Sequence, residues 1–247
     1  MAISVLTNVA SLNAQRNLAS SQASLASSIG KLSSGLRINN AADDAAGLGI
    51  SENLKANIRS ISQAQRNTND GISMSQVAEG AMNEMQGIVS RMRELSVQAS
   101  NSTLGPNERG YIHTEFTQLK SEIDRISSVT NFNGQKLLDG SASTGLTFQV
   151  GIFNTANDRI GMSITKLTAS TLGSTSLHVA SVSLSTAANA QTAIGAFDKA
   201  IQQLAQARAK VGAMQNRMQV TLATLATSAE NLSAANSRIR DVDVAEE

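Results

Sequence analysis

The sequence predicts a mainly α fold, an elongated antiparallel helical bundle or coiled coil with a small β-hairpin region at one end. Three observations carry that expectation. From Ile194 to Ile239 an apolar seam recurs every seven residues: Phe197, Leu204, Val211, Met218, Leu225, Leu232 and Ile239. Threes-and-fours spacing of the same kind runs through two long stretches nearer the N-terminus. Between Thr130 and Leu184 the helical period is lost, and Asn133-Gly134 and Asp139-Gly140 give hairpin-type turn signals.

The C-terminal stretch sets the scale. It contains no proline, and a helix of its length runs roughly 70 Å at about 1.5 Å per residue, so it needs long partners. The second row of its heptads carries Arg208, Gln215 and Asn236. Polar residues in a seam weaken it but can fix its register.

The partners precede it. Ser4 to about Gly35 reads as an amphipathic helix with Leu18, Leu25 and Leu32 at sevens, loosened near its end by Gly30 and Gly35. Arg37 to Asp44 breaks the pattern with Asn39, Asn40, Asp43 and Asp44, residues that turn and cap backbone, and reads as a linker or hinge. A long helix follows from about Ala45 to Ala99. Leu54, Ile58, Ile61 and Ile72 lie on one grid, and Ala81, Met85, Ile88, Met92, Leu95 and Ala99 on another. The two grids join only with a shift near Gly71 to Gly80, so a stutter or bend is expected there. Pro106 suits the first turn of a third helix, which carries Ile112, Phe116, Leu119, Ile123 and Ile126 and should fold back antiparallel on the second. Short alternating runs at Leu146 to Val150 and Ile160 to Ile164 then predict a small β-rich cap of about two hairpins.

Composition bounds the chemistry. Of 247 residues 41% are hydrophobic, but only five Phe and one Tyr are aromatic, so the core is thin and built of aliphatics and Met. A net charge of +1 offers no strong field for nucleic acid or anionic membrane. Cysteine is absent, which removes disulfides, thiol catalysis and thiolate metal sites. The N-terminus has no signal-peptide pattern, and no apolar run is long enough to span a bilayer.

No catalytic constellation emerges, and no cofactor or metal site is expected. His113 and His178 are far apart, and the surroundings of His113 lack helical metal-ligand spacing, so it reads as a solvated surface histidine. Asp43 and Asp44 are neighbours that do not converge on one substrate, and a helix N-terminus accounts for them. Leu32 to Gly35 lacks the lysine of a phosphate loop. The methionines on the helical seams, Met74, Met82, Met85, Met92, Met214 and Met218, read as core.

Several motifs go further. Leu32 to Leu48 (LSSGLRINNAADDAAGL), Asn67 to Ala81 (NTNDGISMSQVAEGA), Arg91 to Ala99 (RMRELSVQA) and Phe132 to Leu138 (FNGQKLL) closely resemble the N-terminal signature of bacterial flagellins. Val211 to Asp243 (VGAMQNRMQVTLATLATSAENLSAANSRIRDVD) is similar to their C-terminal signature. Both flanks are covered, and only about Ser141 to Thr192 is not diagnostic.

The resemblance implies a structural subunit of the flagellar filament, with other flagellin subunits as homopolymer partners and no enzymatic activity. A hook-filament junction protein is the alternative. The resemblance also implies export through the flagellar type III apparatus without a cleaved signal peptide, contact with cap and junction proteins, and location in the extracellular filament. Residues 1–40 would form the N-terminal helix and linker of the innermost filament layer. Residues 41–247 would form the rod-shaped helical domain around it, with 130–190 as its small variable region. Recognition by the Toll-like receptor for flagellin would fall on Arg91, Leu95, Gln98 and Glu115, which match positions used in recognised flagellins; Ser90 stands where those commonly have glutamine. The family continues past the stretch resembling Arg240 to Glu247 with a further helix that pairs with the N-terminal one and carries the export-chaperone site. The expectation is therefore a truncated sequence whose Val5 to Ile29 stripe has lost its intrachain partner and which forms no regular filament.

Overall fold

The computed structural model describes residues 8–174 and 177–247; the expected starts of the first helix and its stripe at Ser4 and Val5 lie outside them. The described chain is mainly α, with four helices of 24 residues or more, α1 (Val9–Ser34), α2 (Ala45–Ala99), α3 (Pro106–Val129) and α4 (Ala187–Arg240). Between α3 and α4 lie two antiparallel strand pairs, β1 (Asn131–Phe132) with β2 (Gln135–Lys136) and β3 (Leu146–Gln149) with β4 (Arg159–Met162). The elements divide into two compact units, residues up to 62 with 226–247, and residues 63–225. Helices α2 and α4 each contribute to both.

Each helix end has a local cause. Asn8 caps α1 by accepting the Ser11 N–H, and Gly35 closes it in the left-handed region at φ 69°. Asp44 accepts the Gly47 N–H at 2.8 Å and so caps α2. Pro106 opens α3, where its missing N–H costs nothing. The α2–α3 turn is sealed by Arg109, whose guanidinium donates to the carbonyls of Ala99 and Asn101, both at 2.9 Å.

The larger unit has the continuous core. Met82, Met85, Met92 and Leu95 of α2 meet Ile112, Phe116 and Ile123 of α3, and Phe197, Leu204 and Val211 of α4. Phe116 and Phe197 pack edge to face at 5.8 Å. Small Ala193, Ala196, Ala200 and Ala207 fill the rest of the α4 face. Leu137, Leu138, Leu167, Leu172 and Leu184 carry the same core into the segment between α3 and α4. That segment is pinned by polar side chains of the helices. Ser127 donates to the Leu138 carbonyl at 3.0 Å, Asp124 accepts the Ala169 N–H at 2.9 Å, and Gln203 bonds both the N–H and the carbonyl of Gly173.

Of the two hairpin-type turn signals, one needs correction. Asn133-Gly134 does turn the β1–β2 hairpin, with φ of 50° and 79°. Asp139-Gly140 does not turn a hairpin. Asp139 instead accepts the Ser141 N–H, and Gly140 starts a short 3₁₀ turn over Ser141–Thr144. Helix α2 runs unbroken through Gly71 to Gly80, as a stutter or a bend within one helix allows. Gly71 serves there as a close-approach point: a Cβ on it would lie 2.8 Å from Met218 Cε and 3.2 Å from Phe148 Cδ1.

Candidate functional site

Two surfaces stand out, one in each unit. In the smaller unit, α1 buries none of its described residues, although it carries Leu12, Leu18, Leu25, Ile29 and Leu32 on its surface. Helical periodicity gathers Leu18, Leu25, Ile29 and Leu32 into a stripe, with Leu12 to one side of it. Soluble chains rarely leave so long an apolar strip in water, and such strips mark association surfaces.

The root of α1 is held by the end of α4 and the residues that follow it. Leu36 bridges Asp241, the Arg37 N–H donates to the Arg240 carbonyl at 2.7 Å, and the Val242 N–H donates to the Gly35 carbonyl at 3.1 Å. Arg37 adds a side-chain bond to the Ile239 carbonyl at 2.8 Å, and Lys31 lies 3.3 Å from Glu247. The Asn-Asp motif folds into a corner. Asp43 accepts the N–H groups of Asn39 and Asn40 at 3.0 and 2.8 Å, which holds its carboxyl below the ordinary carboxylate range. Ile38 sits beneath, fully buried. The two neighbouring aspartates are thus backbone-capping groups, each aimed at its own amides.

In the larger unit, the residues marked by resemblance fall on the α2–α3 face. Arg91 Nε donates to Glu115 Oε1 at 3.0 Å across the two helices, and Arg91 Nη1 to Glu94 Oε2 at 3.1 Å. These bonds, that to Glu115 first, raise the guanidinium above its ordinary range. Arg91, Glu115 and Gln98 are exposed. Leu95 is not among them. It is only 1% exposed and packs in the core, so it supports this surface from below. Glu94 was missed, although its i,i+3 spacing from Arg91 is a readable signal.

The histidines stay apart. His113 is half-buried, stacks on Phe116 at 6.1 Å and accepts the Leu184 N–H on Nδ1 at 3.3 Å, so it is a packing and anchoring residue where a solvated one was expected. His178 is exposed in the segment between α3 and α4. Among the described residues no group of acidic or histidine side chains is placed to hold a metal ion, and no helix is long and apolar enough to cross a membrane. A cleft of about 580 Å³ between the β3–β4 hairpin and α4 is lined by Val150, Ile160, Arg217, Val220 and Leu225.

The family described as the bacterial flagellin N-terminal helical region matches residues 5–143, and the bacterial flagellin C-terminal helical region matches residues 194–247. A flagellin of Halalkalibacterium halodurans is 45% identical over 240 residues, covering 97% of this chain and 86% of that one. A flagellin of Bacillus subtilis is 41% identical over 270 residues, covering 97% and 88%. Among solved structures, Bacillus cereus flagellin superimposes with a TM-score of 0.55 at 32% identity, over 69% of this chain and 94% of that one. A putative flagellar hook-associated protein of Vibrio parahaemolyticus gives 0.66 at 13% identity, over 81% and 100%; at that identity the likeness shows the fold alone.

Proposed function

Because the chain belongs to the bacterial flagellin family and is a structural subunit of the extracellular flagellar filament, we propose that its two surfaces divide its work. The α1 stripe is the subunit-to-subunit surface, and the α2–α3 face around Arg91 is read from outside. Flagellins self-assemble into filaments, and nothing favours the hook-associated alternative. Residues 1–40 form the inner filament layer in this reading, and 41–247 the domain around it. The exposed stripe on α1 carries the assignment, since burial against other copies removes its side chains from water. The subunit reaches the filament by secretion through the flagellar export apparatus, and cap and junction proteins bound the polymer it joins.

The test is replacement of Leu18 and Leu25 by Asp in this chain co-expressed with a filament-forming flagellin, with the parent chain's entry into those filaments as the reference. The variant should keep the core of the larger unit and fail to enter filaments. Normal incorporation would remove the assignment.

The receptor reading is carried by the exposed Arg91–Glu115 pair with Gln98 beside it. Arg91→Ala should lower signalling in a reporter assay for the Toll-like receptor, and signalling equal to the parent would remove that reading.

A further inference from the structure

The apolar seam of α4 repeats every seven residues, so it is nearly self-similar under a slip of one heptad: Phe197 would take the place of Leu204, Leu204 that of Val211, and Val211 that of Met218. Alanines and methionines, which fill much of the facing surface, adapt to such a shift. The heptad seam by itself therefore distinguishes neighbouring registers poorly, with only contacts such as Phe116–Phe197 and Gly71–Met218 opposing a slip.

A second set of residues does distinguish them. On one edge of α2, Glu79, Gln86 and Arg93 follow one another at intervals of seven. Each finds a partner on α4. Gln215 Nε2 donates to Glu79 Oε2 at 3.1 Å, Arg208 Nη1 to Gln86 Oε1 at 2.8 Å, and Arg93 Nε to Asp198 Oδ1 at 2.7 Å. All six lie in the larger unit. We propose that the acid-amide-base series Glu79, Gln86, Arg93 is a register code, read in antiparallel by Gln215, Arg208 and Asp198.

Neither slipped register preserves the code. A slip one way sets Arg208 against Arg93, Gln215 against Gln86 and Asp198 against Ser100, which juxtaposes two cations and strands the carboxylate. A slip the other way sets Gln215 against Ile72 and Asp198 against Gln86, and keeps only an Arg208–Glu79 contact. In the native register Arg208 already reaches Glu79 at 3.9 Å, so that slip gains little. Discrimination arises from what the wrong registers lose, the way edge charges choose partners in coiled coils. The inference goes beyond filament assembly and receptor recognition and depends on neither.

The test uses the absence of native cysteine. Exposed Ser90 and Gln219, well separated along the helix axes, are replaced by Cys and spin-labelled, and their separation is read by pulsed electron paramagnetic resonance. A heptad slip displaces one helix axially by about 10 Å. The parent should give one distance. The Glu79→Ala, Gln86→Ala, Arg93→Ala variant should give a second population, displaced on that scale. Arg93→Glu alone faces Asp198 with a like charge at a solvent-accessible site, so it keeps its fold; it should broaden the distribution, and adding Asp198→Arg should restore a single peak. A single unshifted distance in Arg93→Glu overturns the inference, whether or not the triple variant folds.

Discussion

Ser51, fully buried on α2, donates its hydroxyl to Asn236 Oδ1 on α4 at 2.8 Å. Asn236 is one of the three polar residues that interrupt the α4 seam, and here it faces a hydroxyl in place of a methyl. Removing Asn236 leaves the buried Ser51 hydroxyl only a long contact from Arg240 Nη1 at 3.5 Å, so removing one partner should cost more than removing both. Asn236→Leu should destabilise by about 1 kcal/mol, and the double variant with Ser51→Ala should recover most of that loss. Chemical denaturation of the four proteins of this cycle reads the coupling.

The linker corner should be sensitive to acid. The backbone N–H groups of Asn40 and Asn39 hold the Asp43 carboxyl below its ordinary range. A carboxyl depressed in the folded state contributes stability above its unfolded pKa and loses it as pH falls through the folded one. The corner should thus be intact at neutral pH and open only below the ordinary carboxylate range. In an NMR titration the amide protons of Asn39 and Asn40 should move together with the Asp43 carboxyl, while Asp43→Asn should abolish the acid step.

At Gly71 space, and not backbone conformation, limits the size of the residue. Its α2 backbone is helical, and a methyl there would press on Met218, which is fully buried. The thioether end of Met218 is flexible, so Gly71→Ala should be close to neutral, with helix propensity gained against crowding. Gly71→Leu has no such escape and should cost about 1–3 kcal/mol by overpacking. Adding Met218→Ala to the Gly71→Leu variant should return part of that loss in thermal unfolding.

How far the sequence could be read follows from the range of each interaction. The α4 seam was legible because helical periodicity is local, and its observed span, Ala187–Arg240, encloses the expected one. Arg208, Gln215 and Asn236 were visible as polar interruptions, but Gln86, Glu79 and Ser51 as their partners were not, since those pairings lie 122, 136 and 185 residues apart. The shift between the two apolar grids of α2 near Gly71 was legible because spacing along a helix is local, and α2 stays one helix through it. Asp139-Gly140 failed as a hairpin signal because an Asp side chain that bonds an N–H two residues on favours several turns, and the core contacts of Leu137 and Leu138 choose among them. His113 looked solvated because nothing local announces that Leu184 comes to rest on it.

Leu95 and Arg91 separate folding from recognition on the α2–α3 face. The two are four residues apart on one helix, yet Leu95 is in the core beside Met92 and Ala99, a placement that its threes-and-fours spacing already signalled. Truncating it leaves a cavity among neighbours that relax only in part. Leu95→Ala should therefore cost about 2–5 kcal/mol, with a lower melting temperature and any loss of receptor signalling following from it. Arg91 is about half exposed, and so is its partner Glu115. An ion pair in water adds little to a fold, so Arg91→Ala should leave the melting temperature nearly unchanged. A drop in signalling by Arg91→Ala at unchanged melting temperature would place the effect at the surface. A drop seen only where the melting temperature also falls would assign it to the core.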